Sequence, residues 1–388
     1  VFASAQHINR DSYYGGGQDL NAYGNTTDLN WMAGSQYVYS FAKCIFMPSD
    51  LTAGIEFNQD KLEDNMWGYN RTVDQKVNIG SAFLQNEWKN EHWGFLIGGR
   101  LDKHNLIDHV IFSPRANLRY NPTENINLRF SYSSGFRAPQ AFDEDLHVEN
   151  VGGNVAMVEL ADNLKEERSQ SLSASADIYH RFGAFQVNFL VEGFYTKLSD
   201  VFALTDGEIV DGILTRTRYN APGARVMGLT LEGKMAYLTK FQLQAGVTLQ
   251  QSHYSEPHVW NKVAPAVKKM MRTPNTYGYF TATYTPIKPL SIALSGTYTG
   301  SMLVPHEPVP GFLEKPITVN TKDFFDIGLK AAYDFKLYKS MNLQVNAGVQ
   351  NIFNAYQNDF DKGADRDSGY IYGPSLPRSF FAGVKISY

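Results

Sequence analysis

Apolar and polar residues alternate along almost the whole length of this 388-residue chain, and this feature restricts its fold more than any other. In the segment 241–250, for example, every second residue is apolar and the residues between them are Gln, Gly or Thr. The same pattern recurs at 126–133, 171–178 and 342–349. Because successive side chains of a strand point to opposite faces of a sheet, a period of two predicts strands with one apolar and one polar face. We therefore predict an all-β fold.

The predicted strands are long, and several exceed the ~9–11 residues that cross a bilayer, whereas strands of soluble proteins cluster near five or six. Their connections alternate between long loops and tight turns, which is typical of outer-membrane barrels. The connection 104–108 departs from this rule, since it is short where a long loop is expected. We predict a transmembrane antiparallel β-barrel with about sixteen strands in this chain, near residues 1–8, 28–41, 49–60, 75–89, 92–103, 109–120, 126–136, 166–182, 185–202, 224–238, 241–254, 272–286, 290–304, 320–337, 342–356 and 375–388.

The connections fall into two groups by length. Tight turns are predicted at 90–91, 121–125, 183–184, 239–240, 287–289 and 338–341. Long loops are predicted at 9–27, 61–74, 137–165, 203–223, 255–271, 305–319 and 357–374.

Composition agrees with a barrel and excludes other classes. Aromatic residues make up 14% of the chain, which suits the aromatic girdles of a membrane barrel. No uninterrupted apolar run approaches the ~20 residues of a membrane-spanning helix, so a helical membrane protein is excluded. The formal net charge of -4 offers no general basic surface, so we expect no nucleic-acid partner. Cys44 is the one cysteine, so there is no internal disulfide.

The alternation also predicts which side chains face lipid, because a charge facing hydrocarbon costs about 2–4 kcal/mol at the bilayer midplane. We expect lipid contact for Leu243, Val247, Leu290, Ile292, Leu294, Val384 and Ile386. We expect the lumen to receive Gln242, Gln244, Arg115, Arg119, Ser173 and Lys385.

Three stretches resemble TonB-dependent outer-membrane receptors. The first is Ser-Gly-Phe-Arg-Ala-Pro at 134–139, followed by Leu-Lys-Glu-Glu at 164–167, similar to the FRAP and NPDLKPE-like elements of that family. The second is Val-Gln-Asn-Ile-Phe-Asn-Ala-Tyr at 349–356, similar to its penultimate strand. The third is Pro-Arg-Ser-Phe-Phe-Ala-Gly at 377–383, similar to its last strand, and the chain stops on Tyr388 as such barrels stop on an aromatic residue. The resemblance covers nearly the whole chain.

The resemblance implies a 22-stranded barrel filled by an N-terminal plug, in the outer membrane of a Gram-negative bacterium. With sixteen strands predicted for residues 1–388, we expect the plug and the first strands to be absent from this chain. The implied function is active import of a bulky, scarce nutrient, namely an iron-siderophore, cobalamin or haem, energised by TonB through the plug. The style of the loops resembles receptors of Bacteroidetes, so a surface-exposed lipoprotein is a further partner to consider. The alternative is a passive, porin-like channel of sixteen strands.

Aromatic loop residues are the candidate ligand contacts, because such rings stack on planar or macrocyclic chelates. We single out Tyr13, Tyr14, Trp67 and Tyr69, for which girdle or packing roles remain an equal alternative. His147 lies between the FRAP element and Ala-Asp-Asn-Leu at 161–164, where haem receptors of the family carry an axial His before an NPNL motif. The departure from NPNL favours a solvated loop histidine instead.

Other polar residues receive plainer interpretations. We assign Arg137 a structural role at the rim. Four aspartates, Asp359, Asp361, Asp365 and Asp367, could bind calcium, but without EF-hand spacing we expect solvated charge. No catalytic motif is present, so we expect neither enzymatic activity nor a cofactor.

Overall fold

One large antiparallel sheet dominates the structure. The computed structural model describes residues 1–13, 22–141, 149–151, 154–205, 207–210, 213–338, 340–363, 366–374 and 376–388. Its strands in chain order are β1 Phe2–Tyr13, β2 Tyr23–Cys44, β3 Met47–Met66, β4 Arg71–Lys89, β5 Trp93–His104, β6 Ile111–Thr123, β7 Ile126–Arg137, β8 Glu149–Val151, β9 Asn154–Leu160, β10 Glu167–Phe182, β11 Phe185–Ser199, β12 Val201–Leu204, β13 Glu208–Val210, β14 Ile213–Ala221, β15 Ala224–Tyr237, β16 Phe241–His258, β17 Val267–Lys269, β18 Thr276–Ile287, β19 Leu290–Thr299, β20 Leu303–His306, β21 Ile317–Asn320, β22 Phe324–Tyr338, β23 Met341–Gln350 and β24 Ser379–Ser387.

The large sheet contains sixteen long strands and the three-residue β17. Each long strand pairs antiparallel with the next long strand along the chain, so the sheet is a meander from β1 to β24. Within the described ranges, no hydrogen-bonded pairing joins β24 to β1. The remaining strands, β8, β9, β12, β13, β14, β20 and β21, lie in the long connections. The sixteen predicted strands are thus confirmed, with shifted boundaries.

The pairing register confirms the predicted division into two faces. Leu243 pairs with Ala282, and Ala282 pairs with Leu294. Since directly paired residues point to the same side of a sheet, these pairs can be followed from strand to strand. They place all seven residues predicted to contact lipid on one face, and all six residues predicted for the lumen on the other.

The apolar face of the sheet is widely exposed. Ile55, Ile97 and Val384 are each more than 60% exposed, although a soluble protein rarely leaves a contiguous apolar surface of this extent uncovered. Near the tight turns this face carries exposed aromatic rings, including Tyr37, Tyr39, Trp93, Phe185 and Tyr284. An apolar band bordered by aromatic rings matches a lipid-facing surface.

The opposite face carries hydrogen-bonded polar side chains. Arg100 donates to Glu56 at 3.1 Å and to Asp102 at 2.7 Å, which links β3 to β5 across β4. Tyr279 donates to Glu232 at 2.7 Å and accepts from Gln244 at 2.9 Å. Such contacts provide hydrogen-bond partners for polar side chains on the lumen side. The same side chains would lack partners if they faced lipid.

Two predicted long loops are wrong in extent. The region 61–74 is mostly strand, since β3 continues to Met66, β4 begins at Arg71, and a single 3-10 turn at Trp67–Tyr69 joins them. The region 9–27 likewise contains the end of β1 and the start of β2. β2 has 22 residues and therefore measures roughly 70 Å, more than twice the ~30 Å hydrocarbon core. Outside the bilayer both faces of a strand contact water. The alternation of apolar and polar residues is therefore lost there, although the hydrogen-bonded pairing of the strands continues.

The strand predicted at 342–356 ends earlier, at Gln350. Asn351 has a φ of 49°, in the left-handed region, and its side-chain amide donates to the carbonyl oxygens of Ala355 and Leu376, both at 2.9 Å. A side chain that bonds the local backbone in this way competes with the strand ladder. Asn351, the first residue of the Asn-Ile-Phe-Asn segment, therefore terminates β23 and begins the last loop.

The described residues contain no helix with the length and the apolar composition that a membrane span requires.

We predict that cysteine labelling in intact outer membranes will separate the two faces. In a Cys44→Ser background, Lys385→Cys should react with a small charged thiol reagent, whereas Ile292→Cys should not, because hydrocarbon excludes the reagent. Both sites lie near the tight-turn end of their strands, so depth is matched. Labelling at Ile292 without labelling at Lys385 would mean that the register is inverted.

Candidate ligand-binding site at the loop end of the barrel

A small five-stranded sheet lies in the long connections at the loop end of the barrel. β14 pairs antiparallel with β12 and β13 and parallel with β9. Arg71, at the start of β4, donates to the carbonyl oxygen of Val158 at 3.0 Å, and Val158 pairs with Arg216 of β14. The described parts of the long connections 138–166 and 200–223 therefore bond to each other and to the barrel wall.

Beside this small sheet lies a cavity of about 380 Å³, which we call the arginine cavity. Its wall comes from the loop ends of β7 and β16, from the small sheet, and from the connections that precede β18 and follow β20. The lining residues are Arg137, Phe202, Ala203, Leu204, Thr205, Arg216, Arg218, Tyr254, His258, Trp260, Met271, Pro305 and Glu307.

Two arginines contact one aromatic ring in the arginine cavity. The guanidinium carbons of Arg137 and Arg218 lie 5.6 Å and 5.8 Å from the centroid of the Phe202 ring, within cation–π range. Arg218 is only 6% exposed although it lies in a loop strand. The backbone N–H of Phe202 donates to Glu167 Oε2 at 2.9 Å, which fixes this ring relative to β10.

Arg216 is engaged by a carboxylate. Its Nη2 lies 3.0 Å from Glu307 Oε1, and Asn261 donates to Glu307 Oε2 at 3.1 Å. Burial raises the pKa of Glu307, while Arg216 opposes that rise. Among the described residues that line the cavity, Glu307 is the one carboxylate, against three arginines.

Aromatic rings form another part of the wall. The rings of Tyr254 and His258 lie 4.8 Å apart, and burial lowers the pKa of His258, which favours its neutral form. Trp260 is 9% exposed, and its buried indole N–H has no hydrogen-bond acceptor among the described residues. A buried donor without an acceptor is uncommon in folded proteins. Arg216 Nε, in the same cavity, is also buried without an acceptor among the described residues.

The last loop is fastened to the edge of the arginine cavity. The His306 ring stacks on Tyr370 at 3.8 Å, and His306 Nε2 lies 2.9 Å from Asp361 Oδ2. The backbone N–H of Glu307 donates to Asp367 Oδ2 at 2.9 Å. Burial, with the nearby Asp359, raises the pKa of Tyr370 to about 12, so this ring stays neutral at all physiological pH values.

This fastening contradicts the prediction that the aspartates of this loop are solvated. Asp367 is 4% exposed, and Asp359 accepts hydrogen bonds from Tyr370 and Tyr372. Asp365 lies outside the described residues. Within the described ranges no group of three or more acidic, His or Cys side chains could hold a metal ion. The acidic side chains bond to neighbouring side chains and backbone instead, because the connection after β20 packs against the connection after β23.

The predicted aromatic contacts among the described residues lie at the loop-side tips of β1 to β4, outside the lining of the arginine cavity. Trp67 is 64% exposed, whereas Tyr69 packs against Leu62 and Met66. The Tyr13 ring lies 4.9 Å from the Tyr23 ring across the β1–β2 pair. Tyr14 and His147 lie outside the described residues. The structure therefore gathers Tyr13 and Trp67 at neighbouring strand tips, and none of the described candidates lines the arginine cavity.

Sequence reasoning misses most of the arginine cavity. The FRAP context draws attention to Arg137 but suggests a purely structural role for it. The pattern Arg-Thr-Arg at 216–218 is the available signal, since a strand period of two puts both arginines on one face. Trp260 carries no such signal, because its environment depends on contacts between distant loops.

A meander of long antiparallel strands with an exposed apolar face bordered by aromatic rings defines a transmembrane β-barrel of the outer-membrane type. The family described as "TonB dependent receptor-like, beta-barrel" matches residues 2–352. The chain belongs to the TonB-dependent receptor β-barrel family, whose members reside in the outer membrane of Gram-negative bacteria. No curated protein sequence matches the chain significantly.

Solved structures of siderophore receptors share the fold. The siderophore receptor PirA from Acinetobacter baumannii is 15% identical with a TM-score of 0.65, over 94% of this chain and 55% of that one. A point mutant of the ferric enterobactin receptor PfeA from Pseudomonas aeruginosa is 17% identical with a TM-score of 0.66, over 98% and 58%. The ferric-catecholate import receptor Fiu from E. coli K12 is 14% identical with a TM-score of 0.67, over 95% and 57%. The chain thus spans less than two thirds of these receptors, and at these identities the likeness shows the fold alone.

We predict that Asp361→Ala will loosen the last loop. Losing one partner of a buried hydrogen-bonded pair costs about 1–3 kcal/mol, so amide hydrogen exchange across the described parts of 351–378 should accelerate by about tenfold or more. Asp323→Ala is the matched control, since among the described residues Asp323 accepts an exposed bond from Tyr298 at 3.3 Å. Equal acceleration in both variants would contradict a specific fastening by Asp361.

Proposed function

We propose that this protein imports a ferric siderophore across the outer membrane and that TonB energises the import. The observation that carries the proposal is the family match over residues 2–352. The exposed apolar face and the loop-end cavity are both consistent with that class of receptor. The role is transport, and it includes no catalytic step.

The structural neighbours favour a siderophore over cobalamin or haem as cargo. PirA, PfeA and Fiu are named as a siderophore receptor, a ferric enterobactin receptor and a ferric-catecholate import receptor, respectively. Because this chain spans just over half of their length, both the cargo and the contact with TonB belong to the proposal. The lining of the arginine cavity supports it, since aromatic rings and cationic groups suit a bulky anionic chelate. A surface-exposed lipoprotein partner remains part of the hypothesis.

The passive, porin-like channel is the weaker alternative. The count of sixteen strands suggests it, since a barrel of that size can enclose an aqueous lumen. The family match opposes it, and so do the connections that fold into a small sheet at the loop end.

We predict that uptake of radioactive iron presented as a siderophore complex will depend on both this protein and TonB. Deleting its gene should reduce uptake to background, restoring the gene should recover it, and removing TonB should abolish it with the receptor still present. Uptake that continues without TonB would support a passive channel instead.

We also predict that the aromatic tips contribute to cargo binding. Replacing Trp67 and Tyr69 with Ala should weaken uptake by about two- to tenfold for each stacking ring lost, while Trp67→Phe, which keeps a ring, should retain most of it. His147→Ala should leave uptake nearly intact. Loss of haem-dependent growth in His147→Ala alone would instead identify haem as the cargo, and unchanged uptake in the double variant would assign Trp67 and Tyr69 to packing.

A further inference from the structure

We propose that the outside of the barrel carries a binding site for a phosphorylated lipid of the outer leaflet. The site has two parts, an apolar groove on the lipid-facing surface and a row of basic residues beside it, on the side of the loop end. The inference goes beyond cargo import, and it needs only that the sheet lies in the outer membrane, where members of the family reside.

The apolar groove has a volume of about 890 Å³ and crosses the outward faces of β10, β11, β15 and β16. Gly193 gives it depth, because a Cβ added there would meet no heavy atom within 4 Å apart from its chain neighbours. Gly193 also pairs with Ala174, so two small residues adjoin in the floor. A narrow apolar groove suits an acyl chain, because a chain of methylene groups packed into it gains dispersion contacts. The exposed side chains along its sides are Phe130, Leu172, Tyr195, Leu229 and Leu249.

The basic row consists of four residues that pair directly across four adjacent strands. Lys197 of β11 pairs with Arg225 of β15, and Arg225 pairs with His253 of β16. His253 pairs in turn with Lys269 of β17. Since directly paired residues point to the same side of a sheet, and Lys197 has the same parity as Tyr195, all four side chains point outward. No acidic residue interrupts the row.

The side chains of the basic row lack partners among the described residues. No described carboxylate forms an ion pair with any of the four, and Lys197 and Arg225 are both exposed. Like charges directly opposite each other destabilise a pair of strands, so Lys197 and Arg225 repel each other across β11 and β15. A phosphate group offsets that repulsion, and the planar guanidinium of Arg225 matches its geometry.

The basic row lies at the depth of lipid phosphates. On β11 the outward residues run from Phe185, beside the tight turn, to Tyr195. At ~3.4 Å per residue and a tilt of about 40° this stretch rises about 25 Å, which is the height of the apolar band of a membrane barrel. Lys197 is the next outward residue, so it lies just beyond the hydrocarbon at the loop end. Long loops of such barrels are extracellular, which places the row at the outer leaflet.

The groove and the basic row adjoin, so one lipid molecule can occupy both. Tyr195 and Gln251 line the groove, and the next outward residues along their strands are Lys197 and His253. We assign the phosphate to Lys197 and Arg225, and one acyl chain to the groove. A free anion would use only the first of these two parts.

The test is equilibrium binding to the full receptor, purified from outer membranes in detergent and depleted of bound lipid. The probe is bisphosphorylated lipid A, and the comparison probe is the same lipid after phosphatase treatment. The double variant Lys197→Gln/Arg225→Gln should bind the phosphorylated probe about tenfold or more weakly, because two charge-assisted contacts are lost. Its affinity for the dephosphorylated probe should stay the same as that of the unaltered receptor.

Three further variants keep the result interpretable. Lys197→Arg/Arg225→Lys preserves both charges and should retain most of the affinity, which separates loss of charge from misfolding. Gly193→Leu fills the groove with a side chain that suits a lipid-facing position, and it should weaken binding of both probes. Lys61→Gln/Lys76→Gln is the matched control, because these exposed lysines also pair directly on the outward face but lie outside the groove and the row. It should change neither affinity.

Three results would overturn the proposal. Equal loss of phosphorylated lipid in the two Lys and Arg to Gln double variants would reduce the effect to general electrostatics. Full displacement of the lipid by millimolar inorganic phosphate would make the row a simple anion site. Undiminished binding of both probes by Gly193→Leu would remove the groove from the site. None of these results bears on cargo import, so failure of the lipid site leaves the proposed function intact.

Discussion

The structure depends on one constraint, which is that backbone N–H and C=O groups in hydrocarbon must bond to each other. A bilayer core offers no water, and each unsatisfied group there costs several kilocalories per mole. The continuous ladder from β1 to β24 meets this requirement for every strand between those two edges. With the backbone satisfied in this way, every side chain is assigned to one of two faces by its parity along the strand, and the apolar and polar faces follow from sequence alone.

This constraint explains why the barrel was predictable from sequence. Within the bilayer, lipid on one side and a polar lumen on the other force the alternation seen at 241–250, and its partners across β18 and β19 obey the same parity. Above the bilayer that force is absent. The outer parts of β2, β3 and β4 pair as regularly as the rest, but residues such as Glu63 and Asp74 make both faces polar and hide the strands from a pattern search.

The binding site was far less predictable, because it is assembled from segments distant in sequence. Arg137 and Phe202 are neighbours only because β7 and β11 both pair with β10, whose residue Glu167 also holds the Phe202 backbone. Trp260, Arg218 and Glu307 come from three separate connections. Local sequence can suggest that an exposed Trp67 is available for stacking, but burial of an arginine or an indole is decided by how the loops pack. No residue pattern within one loop contains that information.

The fastening of His306 and Glu307 by the last loop limits how the loops of such receptors can be recombined, both in engineering and in evolution. The stacked pair His306–Tyr370 and the bond from the Glu307 backbone to Asp367 make two connections behave as one module, although more than fifty residues separate them. A chimera that takes only one of these connections from another receptor would leave the buried acids Asp361 and Asp367 without their partners. A crossover before β20 keeps these two connections together and should preserve the fastening, whereas a crossover between β22 and β23 separates them and should lose it.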